Sequence, residues 1–235
     1  MVDRIIVSLD IKDRNRIEEL LDLLSPIGYY KIGPIPFTLF GPELINFVKR
    51  RGKKIFLDLK FHDIPSTVAG SCEGAVKLGV DMLNLHTLGG FEMMERALES
   101  ILITAKNLRK PKPILLGVTI LTSIDEASFN DLLGPVERSL NDQIISLARL
   151  AKSAGLDGVV SSVDRTGPIK DACGKDFLVV TPGVRPKGFD VGDHARVFTP
   201  KEAFSVGADY IVIGRPITAA ADPKAALSGI IKELG

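Results

Sequence analysis

The chain has 235 residues, of which 45% are hydrophobic and 25% charged, close to the averages of globular domains and unlike those of disordered chains. Its 30 lysines and arginines balance 29 aspartates and glutamates, so the net charge of +1 gives no general attraction to nucleic acid or to a membrane surface. The two cysteines, Cys72 and Cys173, are too few for a disulfide framework or a multi-cysteine metal site and are expected to be buried.

The N-terminal segment differs from an export signal. A secretory signal has a basic start followed by about 7–15 apolar residues, whereas the apolar run at residues 5–9 is short and ends at Asp10. No stretch of the sequence approaches the roughly 18 apolar residues typical of a transmembrane helix. We therefore expect a cytoplasmic protein with neither a membrane nor a nucleic acid as its partner.

Short apolar or β-branched runs alternate with longer amphipathic segments along the chain. The short runs predict buried parallel strands, and apolar residues at helical spacing predict helices. The predicted strands are 5–10, 29–33, 55–60, 82–86, 114–119, 158–161, 178–181 and 210–214. The predicted helices are 16–24, 42–50, 67–78, 91–108, 136–154, 164–173, 200–206 and 217–234. Two long connections, 123–135 and 183–199, carry no predicted element.

Eight strand–helix units in 235 residues average about 29 residues each, close to the size of a βαβ unit. No linker or shift in composition divides them, so we expect a single domain over residues 1–235. A doubly wound open sheet would also alternate strands and helices, but no G-x-G-x-x-G follows the first strand. The sequence therefore favours an α/β fold, a single (β/α)8 TIM barrel, with its active site at the C-terminal ends of the strands.

Charged residues stand near the C-terminal ends of the first three predicted strands. Asp10 ends the first, Lys31 lies in the second, and Asp58 and Lys60 lie two apart in the third, on one face of the strand. An unpaired carboxylate facing the helices would be costly, so we expect all four to meet at the barrel mouth. They could form only a structural ion-pair network, but charge concentrated at the catalytic face more often marks a site.

Residues 58–67 resemble the D-x-K-x-x-D-I-P-x-T signature of the orotidine 5′-monophosphate decarboxylase family. The D-x-K-x-x-D part alone is shared with related barrel decarboxylases and aldolases. Further segments that resemble the family, in order, are the strand ending at Asp10, the strand with Lys31 before Gly33, and residues 118–123, 181–186 and 208–217. At compatible spacing over nearly the whole chain, these segments together are highly specific.

The resemblance implies decarboxylation of orotidine 5′-monophosphate to UMP, the last step of de novo UMP synthesis, without a metal ion or an organic cofactor. Loss of CO₂ leaves an electron pair on C6 of the pyrimidine, which a cation must stabilise and then protonate. Lys60 is the candidate general acid for both tasks. Asp58 would lie against the substrate carboxylate and disfavour it in the ground state. Asp63 would favour the charged form of Lys60.

The resemblance also implies which residues bind the sugar and the base, and how subunits share a site. Asp10 and Lys31 would contact the ribose. Thr122 would hold the pyrimidine, although by itself a threonine there is more typical of a turn or a helix cap. Residues of the signature itself, Asp63, Ile64 and Thr67, would reach into the site of a partner subunit, which makes the enzyme a homodimer.

The phosphate is expected between the loops that follow the seventh and eighth strands. Gly214 and Arg215 bring backbone N–H groups and a guanidinium to a helix start, a combination that suits an anion. The long loop that begins at Pro182 and contains Arg185 resembles a lid that closes over the phosphate. Where the family usually has a glutamine, this chain has His194, whose imidazole N–H can still donate to a phosphate.

Three other functions remain open from the residues alone. A metal-dependent sugar-phosphate lyase or decarboxylase of the same superfamily, such as a hexulose-phosphate synthase, would place an acidic metal ligand on the second strand, where this chain has Lys31. A Schiff-base aldolase would need Lys60 neutral, which the flanking aspartates oppose. A non-catalytic barrel that binds a phosphate ligand would have no use for the set of Asp58, Lys60 and Asp63. No H-x-x-H or H-E-x-x-H pattern predicts a metal site.

Overall fold

The computed structural model describes residues 1–133, 138–186 and 198–234. Over these residues, eight parallel strands close into a barrel in chain order, with β8 paired to β1. The closed barrel confirms the predicted (β/α)8 fold, while the extent of the domain stays a prediction. The strands are β1 (Ile5–Ser8), β2 (Tyr29–Ile32), β3 (Lys54–Phe61), β4 (Met82–His86), β5 (Ile114–Val118), β6 (Gly158–Val160), β7 (Leu178–Pro182) and β8 (Tyr210–Ile213).

Helices connect the strands and cover the outside of the barrel. Several begin at residues whose side chains accept a backbone N–H of the first turn, among them Asp13, Ser139 and Asp222. Within the described ranges, no helix is both long enough and apolar enough to cross a membrane. The helices are α1 (Arg14–Leu23), α2 (Pro34–Arg50), α3 (Pro65–Leu78), α4 (Gly90–Leu108), α5 (Glu126–Leu133), α6 (Leu140–Ser153), α7 (Val163–Cys173), α8 (Pro200–Ser205), α9 (Arg215–Thr218) and α10 (Pro223–Glu233).

The helices differ from the prediction in three places. α2 begins at Pro34 rather than at residue 42, because the segment bends at Gly41, whose φ of 55° interrupts the helical periodicity. The connection 123–135 contains α5, which the sequence pattern did not indicate. The predicted helix 217–234 is two helices, because Asp222 and Pro223 start a second one. The predicted helix 136–154 corresponds to α6, and residues 134–137 lie outside the described part.

The core has two layers, one inside the barrel and one between the strands and the helices. Most strand residues are buried on both faces, as expected for parallel strands covered by helices. Both cysteines are buried in the outer layer, as predicted. The inside of the barrel is filled by Ile6, Tyr29, Phe56, Met82, Leu116, Val118, Val160, Val180 and Val212.

At the amino-terminal end of the barrel, the same hydrogen-bonded contact recurs at alternate strands. The sequence Gly-x-Asp precedes β4, β6 and β8, and each glycine has a positive φ just after a helix. Each aspartate accepts a hydrogen bond from the backbone N–H of the second residue of the neighbouring strand and from the ammonium of a lysine. The pairs are Asp81 with Ile55 N and Lys49, Asp157 with Leu115 N and Lys112, and Asp209 with Val179 N and Lys170. We call these three aspartates, Asp81, Asp157 and Asp209, the basal aspartates.

Candidate active site

Four charged side chains from the first three strand–loop units meet at the carboxyl-terminal mouth of the barrel. The ammonium of Lys31 lies 2.9 Å from Asp10 Oδ2 and 3.0 Å from Asp58 Oδ2. The ammonium of Lys60 lies 2.7 Å from Asp58 Oδ1. Asp10, Lys31, Asp58 and Lys60 therefore form a continuous row of alternating charge, which we call the charged row.

The middle of the charged row is buried, since Lys31 and Asp58 are only 8% and 7% exposed. Burial favours the neutral form of each, but the opposite charges outweigh it. Burial works to lower the pKa of Lys31, but the carboxylate of Asp58 and, to a lesser extent, that of Asp10 raise it above its ordinary value. Burial likewise works to raise the pKa of Asp58, yet Lys31 and Lys60, with hydrogen bonds from Lys60 and Asn84, hold it below its ordinary value. Both side chains are therefore charged at neutral pH.

Asp10 lies two residues beyond β1, not on the strand as predicted, and is held there from both sides. The hydroxyl of Ser8 donates to Asp10 Oδ2 at 2.6 Å, and Lys31 donates to both of its oxygens. Gly33 leaves room for this pair, because a Cβ at residue 33 would stand 2.3 Å from Asp10 Oδ1 and 3.1 Å from Lys31 Nζ. The glycine after β2 is thus part of the construction of the site.

The third strand is irregular where it carries Asp58 and Lys60. Its pairing with β4 shifts in register between Leu57 and Phe61, and Lys60 has a φ of 51°, in the left-handed region. A non-glycine residue in that region costs about 1–3 kcal/mol and persists only where its surroundings hold it. The backbone N–H of Lys60 donates to Asn84 Oδ1 at 2.8 Å. The strained conformation of Lys60 is therefore held by a residue of the neighbouring strand.

Asn84 is a site residue that the sequence analysis missed. It is fully buried on β4, and its amide nitrogen donates to Asp58 Oδ1 at 2.7 Å. The available signal was an amide in the middle of an otherwise apolar strand, since a buried amide must find partners.

A cavity of about 510 Å³ opens at the charged row, within the range of small-molecule sites. Phe56, Val160 and Val212 give it apolar walls. Arg185 and Arg215, from the segments after β7 and β8, also line it and make that part of the cavity cationic. The predicted site residues that line the cavity are Asp10, Lys31, Asp58, Lys60, Thr122, Pro182, Arg185, Gly214 and Arg215.

Among the described residues, three further predicted site residues do not line this cavity. Asp63, Ile64 and Thr67 follow β3 and are exposed, Ile64 by 64% of its surface. Asp63 Oδ1 accepts the N–H of Ile64 at 2.6 Å, and within the described part of the chain it forms no ion pair with Lys60. His194 falls in residues 187–197, outside the described ranges, so its contact with a phosphate stays a prediction.

Comparison with known proteins gives a consistent result over the length of the chain. A family model described as orotidine 5′-phosphate decarboxylase / HUMPS family matches residues 3–230. The orotidine 5′-phosphate decarboxylase of Moorella thermoacetica is 49% identical over 233 residues, which cover 99% of this chain and 92% of that protein. That of Legionella pneumophila (strain Corby) is 43% identical, with 100% of both chains covered. The crystal structure of the enzyme from Lactobacillus acidophilus superposes with a TM-score of 0.86 at 36% identity, over 99% of both chains.

Proposed function

The chain belongs to the orotidine 5′-phosphate decarboxylase / HUMPS family, and we propose that it converts orotidine 5′-phosphate into UMP and CO₂. The observation that carries this proposal is the charged row at one part of a cavity whose other part is lined by two arginines. A substrate with a carboxylate on its pyrimidine and a phosphate at its far end suits this distribution of charge.

Lys60 is the proposed acid. The bond between C6 and the carboxylate carbon breaks, CO₂ leaves, and the bonding electrons stay on C6. An ammonium beside that carbon stabilises the charge as it develops and then transfers a proton, so that a C–H bond forms as the N–H bond breaks. The contact of Lys60 Nζ with Asp58 Oδ1 at 2.7 Å supports this assignment, since it aims the ammonium into the cavity mouth.

Asp58 is proposed to act on the substrate carboxylate. Its lowered pKa keeps it negative at neutral pH, so a carboxylate bound against it is repelled, and the repulsion is relieved as CO₂ departs. Lys31 on its other side carries the opposing charge that makes a buried carboxylate tolerable without a substrate.

The other binding roles are proposed from the family resemblance and from the lining of the cavity. The arginines Arg185 and Arg215 supply the fixed positive charge that a phosphate requires. The ribose is assigned to Asp10 and Lys31, the pyrimidine to Thr122, and the phosphate to Pro182, Arg185, His194, Gly214 and Arg215.

A metal-dependent sugar-phosphate lyase is not favoured. The carboxylates of Asp10 and Asp58 lie on either side of Lys31 of β2, and the ammonium of Lys31 already bridges them. A divalent cation would have to displace this lysine, whose pKa is raised by the same two carboxylates.

A homodimer that shares its sites is proposed as well. Asp63, Ile64 and Thr67 lie on the loop after β3 and the first turn of α3, at the same end of the barrel as the charged row. Leu88 and Phe91, after β4, are also exposed, by 48% and 41%. Apolar side chains grouped beside a site are typical of a surface that another chain covers. In a second copy, Asp63 would then approach Lys60 from across the interface.

A cytoplasmic location is proposed from the part that such an enzyme has in nucleotide synthesis. The balanced total charge supports a small-molecule substrate, with neither nucleic acid nor a membrane as a partner.

The decisive experiment follows the absorbance of orotidine 5′-phosphate after protein is added, with and without EDTA. We expect turnover at the same rate in both. Lys60→Ala should lower kcat by about 10²–10⁴-fold or more, because it removes both the cation and the proton donor. Lys224→Ala, at an exposed lysine in the first turn of α10, is the control and should leave kcat unchanged.

The outcomes separate the alternatives. A wild-type protein that binds UMP but never consumes orotidine 5′-phosphate would be a binding barrel. Consumption of orotidine 5′-phosphate that is lost in EDTA and restored by Mg²⁺ would show a metal-dependent decarboxylation and refute the proposed reaction without a metal ion. A Lys60→Ala variant near the wild-type rate would exclude Lys60 as the acid.

A further inference from the structure

We propose that Asn84 is a positioning residue, which holds the Asp58 carboxylate and the Lys60 ammonium in the geometry that the reaction needs. This inference rests on the proposed function. Asn84 is fully buried, and its side-chain amide bonds to both catalytic residues: Oδ1 accepts the backbone N–H of Lys60 at 2.8 Å, and Nδ2 donates to Asp58 Oδ1 at 2.7 Å.

These contacts close a loop of hydrogen bonds. The oxygen Oδ1 of Asp58 that receives the amide of Asn84 also receives the ammonium of Lys60 at 2.7 Å. The backbone of Lys60 is thereby tied to Asn84, and its side chain is tied to the carboxylate that Asn84 orients. A single amide therefore fixes both ends of the lysine relative to Asp58.

The register of the sheet explains why this amide lies at residue 84. β3 has three residues, 58–60, between Leu57 and Phe61, where β4 has only Asn84 between Leu83 and Leu85. The extra residues of β3 lose their regular partners on β4, and the amide of Asn84 bonds to the first and the last of them. The hydrogen bond to the backbone N–H of Lys60 therefore stands where a ladder bond is missing and holds the left-handed conformation of φ 51°.

The chemistry of the amide group suits this task. Asn84 must accept from an N–H on one side and donate to a carboxylate on the other, and a carboxamide offers both at a fixed angle. A leucine offers neither, and a carboxylate offers two acceptors. Along the same strand, Met82 points into the apolar barrel interior, so no packing requirement calls for a polar group at residue 84. The hydrogen bonds of Asn84 to Asp58 and Lys60 explain why the residue at this position is polar.

The first test compares Asn84→Leu with Thr87→Val. Thr87 is also fully buried, just after β4, and its hydroxyl donates to the carbonyl of Val118 at 2.9 Å, without contact to the charged row. Both variants lose buried hydrogen bonds and should lower Tm. Only Asn84→Leu should lower kcat, by about 100-fold, because a misplaced reacting group costs that much, while KM stays within about threefold.

The second test uses the pH profile of Asn84→Asp. The introduced carboxyl can accept from Lys60 N–H at any pH, but it can donate to Asp58 only when it is protonated. Beside Asp58 the introduced carboxyl should titrate at a raised pKa. We therefore expect the ratio of its kcat to that of the wild type to rise as the pH falls. The charged or ionisable side chains near this position, Lys31, Asp58, Lys60, His86 and His62, are present in both proteins, so the ratio compares the two proteins at the new carboxyl alone.

A crystal structure of Asn84→Leu tests the positioning without turnover. We expect Lys60 to leave the left-handed region and its ammonium to move away from Asp58 Oδ1. Three results would each overturn the inference. They are an Asn84→Leu structure in which Lys60 keeps its conformation and its contact with Asp58, a kcat loss equal to that of Thr87→Val, and a ratio of the kcat of Asn84→Asp to that of the wild type that does not change with pH. A wild-type protein that is inactive on orotidine 5′-phosphate would instead refute the proposed function, while the crystal structure would still decide whether Asn84 positions Lys60.

Discussion

At the scale of single residues, the two buried members of the charged row, Lys31 and Asp58, are ions that would not be stable there without their neighbours. Lys31 is the clearest case, because its ammonium lies between Asp10 and Asp58 and is only 8% exposed. A buried ion pair adds little compared with apolar packing, but removing one partner strands the other charge. Each buried member of the row therefore depends on its neighbours for its stability.

Lys31→Met is expected to lower the free energy of unfolding by about 3 kcal/mol near neutral pH, because Asp58 loses one of its two cations. Chemical denaturation measures this. In the double variant with Asp58→Asn, the two losses of unfolding free energy should not add, because no buried carboxylate at residue 58 is left without its cation. Additive losses would mean that the two side chains contribute independently.

The loss of stability in Lys31→Met should depend on pH. Burial works to raise the pKa of Asp58, but Lys31 and Lys60 hold that pKa below the ordinary 3.8. The wild type therefore has the full stabilisation from this carboxylate above pH 3.8 and loses it as the pH falls through the lower pKa of the folded state. Without Lys31, the pKa of Asp58 should rise, and protonation should relieve the buried charge. The stability difference between the two proteins should therefore shrink from about pH 7 to about pH 4. A difference that grows on acidification would contradict this.

At the scale of elements, the two ends of the barrel are built for different purposes. The carboxyl-terminal end carries the irregular third strand and the charged row, whereas the amino-terminal end is closed by the basal aspartates. Each basal aspartate joins the loop before one strand to the backbone of the preceding strand, at β4, β6 and β8. These contacts repeat regularly at the amino-terminal end. They stabilise the barrel away from the irregular strand at its carboxyl-terminal end.

Asp157→Ala is expected to lower the free energy of unfolding by about 1–3 kcal/mol, because the backbone N–H of Leu115 would lose its acceptor. Asp157→Asn should cost less, since its amide oxygen can still accept from that N–H. Neither change should alter kcat, because residue 157 lies at the opposite end of the barrel. Equal losses for the two variants would instead assign the stabilisation to the ion pair with Lys112.

At the scale of the whole molecule, most of the described residues of the proposed site line the cavity of one barrel, whereas Asp63, Ile64 and Thr67 do not. These residues are exposed in a single protomer, and Asp63 does not reach Lys60 within its own chain. A site completed by a second copy would explain why residues of the family-like signature lie on the surface. It would also make activity depend on association of the protomers.

Mixing two inactive variants tests this arrangement. If Asp63 acts across the interface, Lys60→Ala mixed with Asp63→Ala should regain activity after subunit exchange. Each mixed dimer then has one site with both residues intact, and random pairing restores about a quarter of all sites. Each variant alone is the control. If Asp63 acted on Lys60 of its own chain, every mixed dimer would lack one of the residues at both sites, and no activity would return.

The fold and the four residues of the charged row could be predicted from the sequence because both depend on local patterns. Apolar runs of strand length recur with helical segments between them, and the alternation of side chains along a strand predicted that Asp58 and Lys60 lie together. They do, although the strand itself is irregular at these residues. The kink of α2 at Gly41 and the division of α9 from α10 were not predicted, because they interrupt the periodicity on which such predictions rest.

By itself the sequence determined the barrel, the end at which chemistry would occur and the charged residues that would meet there. Only the tertiary structure decided how they are held. The register between β3 and β4 joins residues more than twenty positions apart, and it places Asn84 opposite the extra residues that carry Asp58 and Lys60. Such pairing is set by the closure of the whole barrel, so no local pattern could show that one buried amide bonds to the backbone of Lys60 in its left-handed conformation.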